Sequence, residues 1–275
     1  MTCLGILAGG GPLPGQVARA AVASGRDVFV VGFEDFAEPG VIGAYPHAYA
    51  RVGAAGRILA LLREAGCRDL VLVGPVRRPS LLDLRPDREG AKILARIGRA
   101  AFSGDDGLLA ALVRVFGEEG FCVVGAHEVL TEALGPAGRL GRVEADAEAM
   151  ADLRRGVAVL RALGAADVGQ ACVVQQGIVL AVEAIEGTDA MLARAGGLAR
   201  PGPGGVLVKM AKPGQDRRAD LPTIGPRTPG VAAAAGLRGV AFEAGGTLLI
   251  DRAASVAAAD GAGVFLLGFD PGEVK

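Results

Sequence analysis

The residues of this chain best suited to chemistry lie in one polar run, KPGQDRRADLPTIGPRT at 212–228. With Lys209 just upstream, the stretch holds five basic residues together with Asp216, Asp220 and Gln215, inside an otherwise apolar half of the chain. In an extended backbone Asp216, Arg218 and Asp220 point to one side and Arg217 to the other. Basic groups beside carboxylates suit metal-assisted cleavage of a pyrophosphate, in which cations hold the phosphates and a carboxylate binds Mg2+ or positions water. Pro222 and Pro226 stiffen the run and Gly225 permits a turn. A solvated charged loop reads from the same residues, although long polar loops inside compact domains are uncommon without a function.

Four other constellations carry weaker signals. Gly9, Gly10 and Gly11, followed by Pro12, Leu13 and Pro14, separate a short apolar run from a helical stretch. Such a turn can bring backbone amides to a phosphate at a helix start. Neither the GxGxxG spacing nor the Walker A lysine is present, so a tight turn without a ligand is an equal reading. Gly104-Asp105-Asp106 stands before a predicted helix, where a carboxylate caps or helps to hold a hard cation. Gly125-Ala126-His127-Glu128 follows a predicted strand, the position of ligand-facing loops in open α/β sheets. The chain has two histidines; a lone His127 is more often a structural hydrogen-bonding group, and His47 falls in an expected surface loop. Gly187-Thr188-Asp189 sits between a strand and a helix, where Thr188 or Asp189 caps the helix or faces a cleft.

The elements that must position these groups follow from periodicity. Apolar runs at 3–7, 27–32 and 69–74 read as buried strands, alternating with helices at 16–24 and 54–65. Helices at 88–102 and 106–119 and a strand at 121–125 continue the pattern. Strands apolar on both faces between helices mean a parallel sheet covered on each side. The aperiodic, glycine-rich stretch 131–143 marks a boundary between domains at 1–130 and 131–275. Beyond it come a helix at 147–163 and two strands, 170–175 and 178–184, around Gln176-Gly177, the signature of a hairpin. Residues 209–227 read as loop, and short strands and helices close the chain, so the second domain is mixed α/β.

Composition narrows the function. Hydrophobic residues make up 51% and charged residues 21% of 275, enough for a sizeable core. The net charge of −1, with 29 basic and 30 acidic residues dispersed, lacks the basic face that a nucleic-acid partner requires. Trp is absent, which disfavours aromatic stacking on a ligand. Cys3, Cys67, Cys122 and Cys172 are far apart in sequence with no CxxC, so reduced, mostly buried thiols and a cytoplasmic setting are expected. The opening residues lack the basic start of a signal peptide, and no apolar stretch reaches the ~20 residues of a spanning helix.

Taken together, the motifs resemble the LpxI-type UDP-2,3-diacylglucosamine diphosphatases. The resemblance rests on KPGQDRRADLPTIGPRT, LGILAGGGPLP at 4–14, GDD at 104–106, GAHEVL at 125–130, DVGQACVV at 167–174, VLAVEAIEGTDAML at 179–192 and FLLGFDP at 265–271. It implies an N-terminal Rossmann-like parallel-sheet domain that takes the UDP portion, and a C-terminal mixed α/β domain that takes the acylated glucosamine phosphate. It implies Mg2+ and no organic cofactor, with water delivered to the phosphorus on the sugar side, UMP and 2,3-diacylglucosamine 1-phosphate (lipid X) as products, and a place in lipid A biosynthesis. Asp220, which precedes Leu-Pro-Thr-Ile-Gly, matches the family's critical carboxylate and is the expected metal ligand. Asp216, Lys212 and Gln215 join it as expected catalytic residues. Gly9, Gly10, Gly11, Pro12, Leu13, Asp105, Asp106, His127, Gly187, Thr188, Asp189 and Thr223 are the expected substrate contacts. The acyl chains call for an apolar chamber or peripheral contact with the inner membrane. Nothing in the sequence demands or forbids a homodimer.

Two rival readings remain open at this level. A dinucleotide-dependent oxidoreductase would use the opening turn, against which stand the missing GxGxxG and the absence of an acidic residue closing the second strand, where Gly32-Phe33 precede Glu34. A non-catalytic nucleotide or lipid carrier would bind without turnover. Tight NADH binding would revive the first, and turnover of the diacylglucosamine nucleotide excludes the second.

Overall fold

The structure, a computed structural model, describes residues 2–77, 81–98 and 105–274. The chain divides into two compact units, one of Met1–Thr131 with Asp216–Asp220 and one of Glu132–Gln215 with Leu221–Lys275.

The first unit runs β1 (Cys3–Ala8), α1 (Leu13–Ala23), β2 (Val28–Phe33), α2 (Pro39–Ile42), β3 (His47–Ala50), α3 (Ala55–Glu64), β4 (Cys67–Val73), α4 (Leu81–Leu84), α5 (Arg88–Ile97), α6 (Asp105–Glu118), β5 (Cys122–Val123) and α7 (Ala126–Val129). Its five strands are all parallel in the order β3-β2-β1-β4-β5, as the expected Rossmann-like sheet requires. The period of two along β1 explains how both faces are covered. Leu4, Ile6 and Ala8 point into the cluster that holds Val17, Ala18 and Ala21 of α1, while Leu7 points into the one that holds Ile58, Leu59 and Leu62 of α3. Asp87 caps α5 through the Gly90 amide at 2.6 Å and also accepts from Gly56 at 2.9 Å, which ties α3 to α5.

Local departures from the sequence reading have local causes. Helix α1 starts at Leu13 rather than 16, because Pro14 fits the first turn, where its missing N–H is not needed. His47 lies in the exposed edge strand β3, not in a loop; a four-residue edge strand has too little pattern to read, and pairing with β2 defines it. The strand expected at 121–125 shrinks to Cys122–Val123, and the end of the helix expected at 88–102 lies outside the described residues.

The second unit runs β6 (Gly138–Leu140), α8 (Ala147–Ala165), β7 (Ala171–Gln175), β8 (Ile178–Val182), α9 (Thr188–Gly196), β9 (Val206–Lys209), β10 (Thr223–Ile224), α10 (Arg227–Ala234), β11 (Gly239–Glu243), β12 (Leu248–Leu249), α11 (Arg252–Ala262) and β13 (Phe265–Phe269). A mixed six-stranded sheet has the order β6-β13-β11-β9-β7-β8, with β9, β11 and β13 parallel. The hairpin foreseen around Gln176-Gly177 is present, β7 against β8. Both turn residues have positive φ, 53° and 74°, the conformation of a tight two-residue hairpin turn. The buried Asp152 of α8 locks the turn by accepting from the Gln176 and Gly177 amides at 3.1 and 2.7 Å. Along β9, Val206 and Val208 pack with Leu153, Val157 and Leu160 of α8, whereas Leu207 packs with residues of α9, α10 and α11. Lys209, two residues after Leu207, therefore projects to the α9 and α10 side. No helix among the described residues is long and apolar enough to cross a membrane.

Candidate functional site

In the first unit the carboxyl ends of β1 and β4 bring Gly9 and Gly74 into contact. A Cβ on Gly9 would lie 2.4 Å from the Gly74 oxygen and 2.6 Å from the Pro75 oxygen, so only glycine fits. The strand order reverses between β1 and β4, the place where open α/β sheets form a ligand crevice. The amides read from the sequence as a phosphate cradle are largely engaged by the protein. Gly9 donates to the Val73 carbonyl at 2.8 Å, Gly10 to the Pro75 carbonyl at 3.0 Å, and Gly11 to the Glu38 carboxylate at 3.2 Å. A carboxylate thus already sits on the last of the three amides. Helix α1 has no side-chain cap and no acid in its first turn, so Pro12 and Leu13 border an uncapped positive helix end.

The same unit joins two motifs that lie 90 residues apart. The Asp216–Asp220 segment packs its Ala219 into the cluster that also holds Phe121 and Val123. The Arg217 carbonyl lies 3.2 Å from where a Cβ on Gly125 would stand, so the segment runs over the start of α7. There Glu128 accepts from the Gly125 amide at 2.7 Å. The His127 ring covers Gly125, and its buried Nδ1 has no hydrogen-bond partner among the described residues. Asp216 accepts from the Arg218 Nε, Nη2 and backbone amide at 3.0, 2.7 and 3.1 Å. These bonds from Arg218 hold the Asp216 carboxyl below the usual aspartate range. Asp220 is exposed and follows the buried Ala219; its amide donates to the Asp216 carbonyl at 3.3 Å, which closes one helical turn. Asp106 is half-buried in the first turn of α6, where a carboxylate favours the helix start; the Asp105 side chain and Gly104 lie outside the described residues.

In the second unit a cleft of about 300 Å³ is lined by Glu186, Gly187, Thr188, Asp189, Lys209, Thr223 and Thr228. The Lys209 ammonium donates to the Thr188 hydroxyl at 2.9 Å and to the Thr223 carbonyl at 3.1 Å. Thr188 in turn donates to Glu183 at 2.5 Å. Gly187 is the N-cap of α9 and offers no side-chain cap. Asp189 pairs with Arg227 at 3.1 Å in solvent. Glu186 is held in its charged form by hydrogen bonds from Arg194, which keep its pKa low.

The loop that leads from Lys209 to the Asp216–Asp220 segment is stapled inside the second unit. Its Ala211 amide donates to buried Glu243 at 2.9 Å, and the Lys212 ammonium pairs with Asp167 at 2.5 Å with only 9% of its side chain exposed. Gln215 accepts from the Lys212 amide at 3.1 Å, which closes the turn. Lys212 and Gln215, read from the sequence among the catalytic residues, therefore also have structural partners, Asp167 after α8 for the ammonium and the Lys212 amide for Gln215. Among the described residues no three His, Cys, Asp or Glu side chains gather as a metal site.

Two family models match the chain, the LpxI N-terminal domain over residues 3–133 and the LpxI C-terminal domain over 136–267. The Caulobacter vibrioides protein named UDP-2,3-diacylglucosamine pyrophosphatase LpxI is 46% identical over 279 residues, which cover 99% of both chains. The chain belongs to the LpxI family. The LpxI resemblance read from separated motifs is therefore correct across both units.

Within this LpxI-family chain, sequence reasoning placed Lys209 and Thr228 in or beside the polar run without assigning them to the site, and did not single out Glu183 or Glu38. Lys209 carried a usable signal, since a lysine ending the apolar run Val206–Lys209 must either leave the sheet or be satisfied inside it. Glu183 closes the β8 run in the same way. Glu38 had no such signal, because its contact with Gly11 spans 27 residues and exists only once α1 and α2 pack.

Proposed function

We propose that this LpxI-family chain hydrolyses the pyrophosphate bond of UDP-2,3-diacylglucosamine to lipid X and UMP, a step of lipid A biosynthesis. The observation that carries the proposal is 46% identity to a protein named for that pyrophosphatase activity, sustained over 99% of both chains. The chemistry of the units supports it. The parallel sheet of the first unit has its strand-order reversal at the Gly9–Gly74 contact, a suitable place for a nucleotide. The cleft of the second unit offers an ammonium and three hydroxyls, which suit a phosphate and a sugar.

Mg2+ belongs to the same proposal. With no three-ligand protein cluster among the described residues, the donor set fits a cation that takes one or two carboxylates and completes its shell with water and substrate phosphates. Exposed Asp220 would hold it, and bound Mg2+ would offset the charge of the diphosphate. Arg217 and Arg218, also exposed, add positive charge beside that carboxylate. The work of the protein is to bind and orient the diphosphate and to place the Asp220 carboxylate next to it, with water as the nucleophile and no covalent intermediate. We place the reaction in the cytoplasm, with the acylated substrate met at the inner-membrane surface.

The test is an assay of the purified chain with UDP-2,3-diacylglucosamine, with and without EDTA. Lipid X and UMP should form, turnover should stop on chelation and return with Mg2+, and Asp220→Ala should lose more than about 100-fold in kcat/KM, roughly 2.7 kcal/mol. A wild-type chain that releases neither product would overturn the proposal.

A further inference from the structure

Strand pairing in the first unit brings together two cysteines that stand 64 positions apart in the chain. Cys3 opens β1 and Cys67 opens β4, and the two are direct partners in the parallel ladder. Their sulfurs lie 3.0 Å apart, about 1 Å beyond a disulfide bond of about 2.05 Å. Neighbouring strands run about 4.8 Å apart, within the ~4.4–6.8 Å Cα separation that a disulfide spans, so closing the bond asks little movement of either strand. Leu4 pairs with Asp69, which leaves Arg68 without an opposite residue, so the two thiols sit beside a bulge where the ladder is already interrupted. Cys3 is half-buried, whereas Cys67 is 5% exposed. Burial and the adjacent Cys3 thiol push the Cys67 thiol up, which keeps it protonated near neutral pH. A sulfur that solvent reaches, backed by a covered one in contact with it, suits oxidation of the first and resolution by the second. The other two cysteines have no such neighbour among the described residues: Cys122 is exposed, and the buried Cys172 faces the Gly156 carbonyl at 3.7 Å.

We propose that Cys3 and Cys67 form a site of reversible oxidation, at which a peroxide converts the two thiols into a disulfide. The peroxide O–O bond breaks as the Cys3 sulfur takes one oxygen to become a sulfenic acid, and the other oxygen leaves as water. The Cys67 sulfur then attacks the Cys3 sulfur. The S–S bond forms, the S–O bond breaks, and the hydroxyl departs with the Cys67 proton as a second water. In sum, two thiols and one hydrogen peroxide give one disulfide and two waters, and a dithiol reductant restores the thiols. The link joins β1 to β4 at their amino ends. Gly9 and Gly74 meet at the opposite ends of the same strands, about 20 Å away at ~3.3 Å per residue. The disulfide therefore ties the centre of the sheet without entering the crevice, and it restricts the unfolded chain by closing a long loop.

The experiment treats the full chain with hydrogen peroxide, with and without later dithiothreitol, and maps disulfides by mass spectrometry of peptides cut without reduction. The wild type should yield a peptide pair joined through Cys3 and Cys67 and a melting temperature higher by about 5–15 °C, both reversed by the reductant. Cys3→Ser should abolish the link and the shift, and Cys122→Ser should retain them. Peroxide that oxidises Cys122 but leaves Cys3 and Cys67 unlinked would defeat the inference. So would a Cys3 that runs on to sulfinic acid, or one that links to Cys122 instead. Should Cys3→Ser fail to fold, the peptide map and melting curve of the oxidised and reduced wild type decide the question in the same two directions. Both readouts are made without substrate, so the result stands apart from the hydrolysis proposed above.

Discussion

Substituting each member of the Lys212–Asp167 pair separates two jobs that Lys212 could hold. The ammonium and carboxylate stand 2.5 Å apart with side-chain exposures of 9% and 24%. Exposed pairs contribute about 0.2–1 kcal/mol, whereas removing one partner of a buried pair costs about 3–5 kcal/mol. A pair covered on most sides falls between, so Lys212→Met and Asp167→Asn should each destabilise the second unit by about 1–3 kcal/mol. Asn is the suitable replacement because Asp167 has φ 52°, a conformation that Asn tolerates. With a urea slope of about 2 kcal/mol/M, the unfolding midpoint should fall by about 0.5–1.5 M in either variant. The double variant should lose little more than either single one, because both break the same contact. Since the pair only shapes the loop before Asp216, the two single variants should lower kcat/KM by similar, modest factors. A loss above about 100-fold in Lys212→Met, with Asp167→Asn near the wild type, would refute this and put the ammonium on the substrate.

Gly9→Ala forces a Cβ to within 2.4 Å of the Gly74 oxygen, and the overlap should cost about 1–3 kcal/mol and lower the melting temperature by several degrees; an unchanged melting curve would contradict the close approach. Because Arg218 lowers the Asp216 pKa in the folded chain, that contact stabilises the protein above the unfolded aspartate value and is lost as pH falls through the lower folded one. A carboxyl titration by NMR should place Asp216 below 3.8 and return it toward that value in Arg218→Gln; a midpoint at or above 3.8 in the wild type would argue against the pairing. Alkylation at pH 8 should label exposed Cys122 first and spare Cys172, whose thiol burial pushes up to about 12, until the chain unfolds. Asp152→Ala should cost about 1–3 kcal/mol by leaving the Gln176 and Gly177 amides of the hairpin turn without their acceptor, and native-like stability would count against that lock.

Much of this molecule can be read along the chain, for reasons of local physics. Val28–Phe33 carries no polar side chain and Val206–Lys209 only its final lysine, and a sheet covered on both faces accommodates that pattern. The pair Gln176-Gly177 names its turn because few residues adopt two successive positive φ values. The polar run at 212–228 stands out as chemistry because nothing in a core needs it.

Long-range contacts set the rest. Residues 216–220 join the first unit although 84 residues of the second precede them, since one buried alanine packs beside Phe121 and Val123. No local pattern announces such a return. The glycine amides that spacing offers to a phosphate are claimed by Val73, Pro75 and Glu38, partners defined by packing rather than by sequence. Lys212, a plausible phosphate ligand by type, is met by Asp167, and Lys209 lines a cleft. Residue type limits which interactions a side chain can make, but burial and neighbours select among them, and those arise only when distant segments share one core.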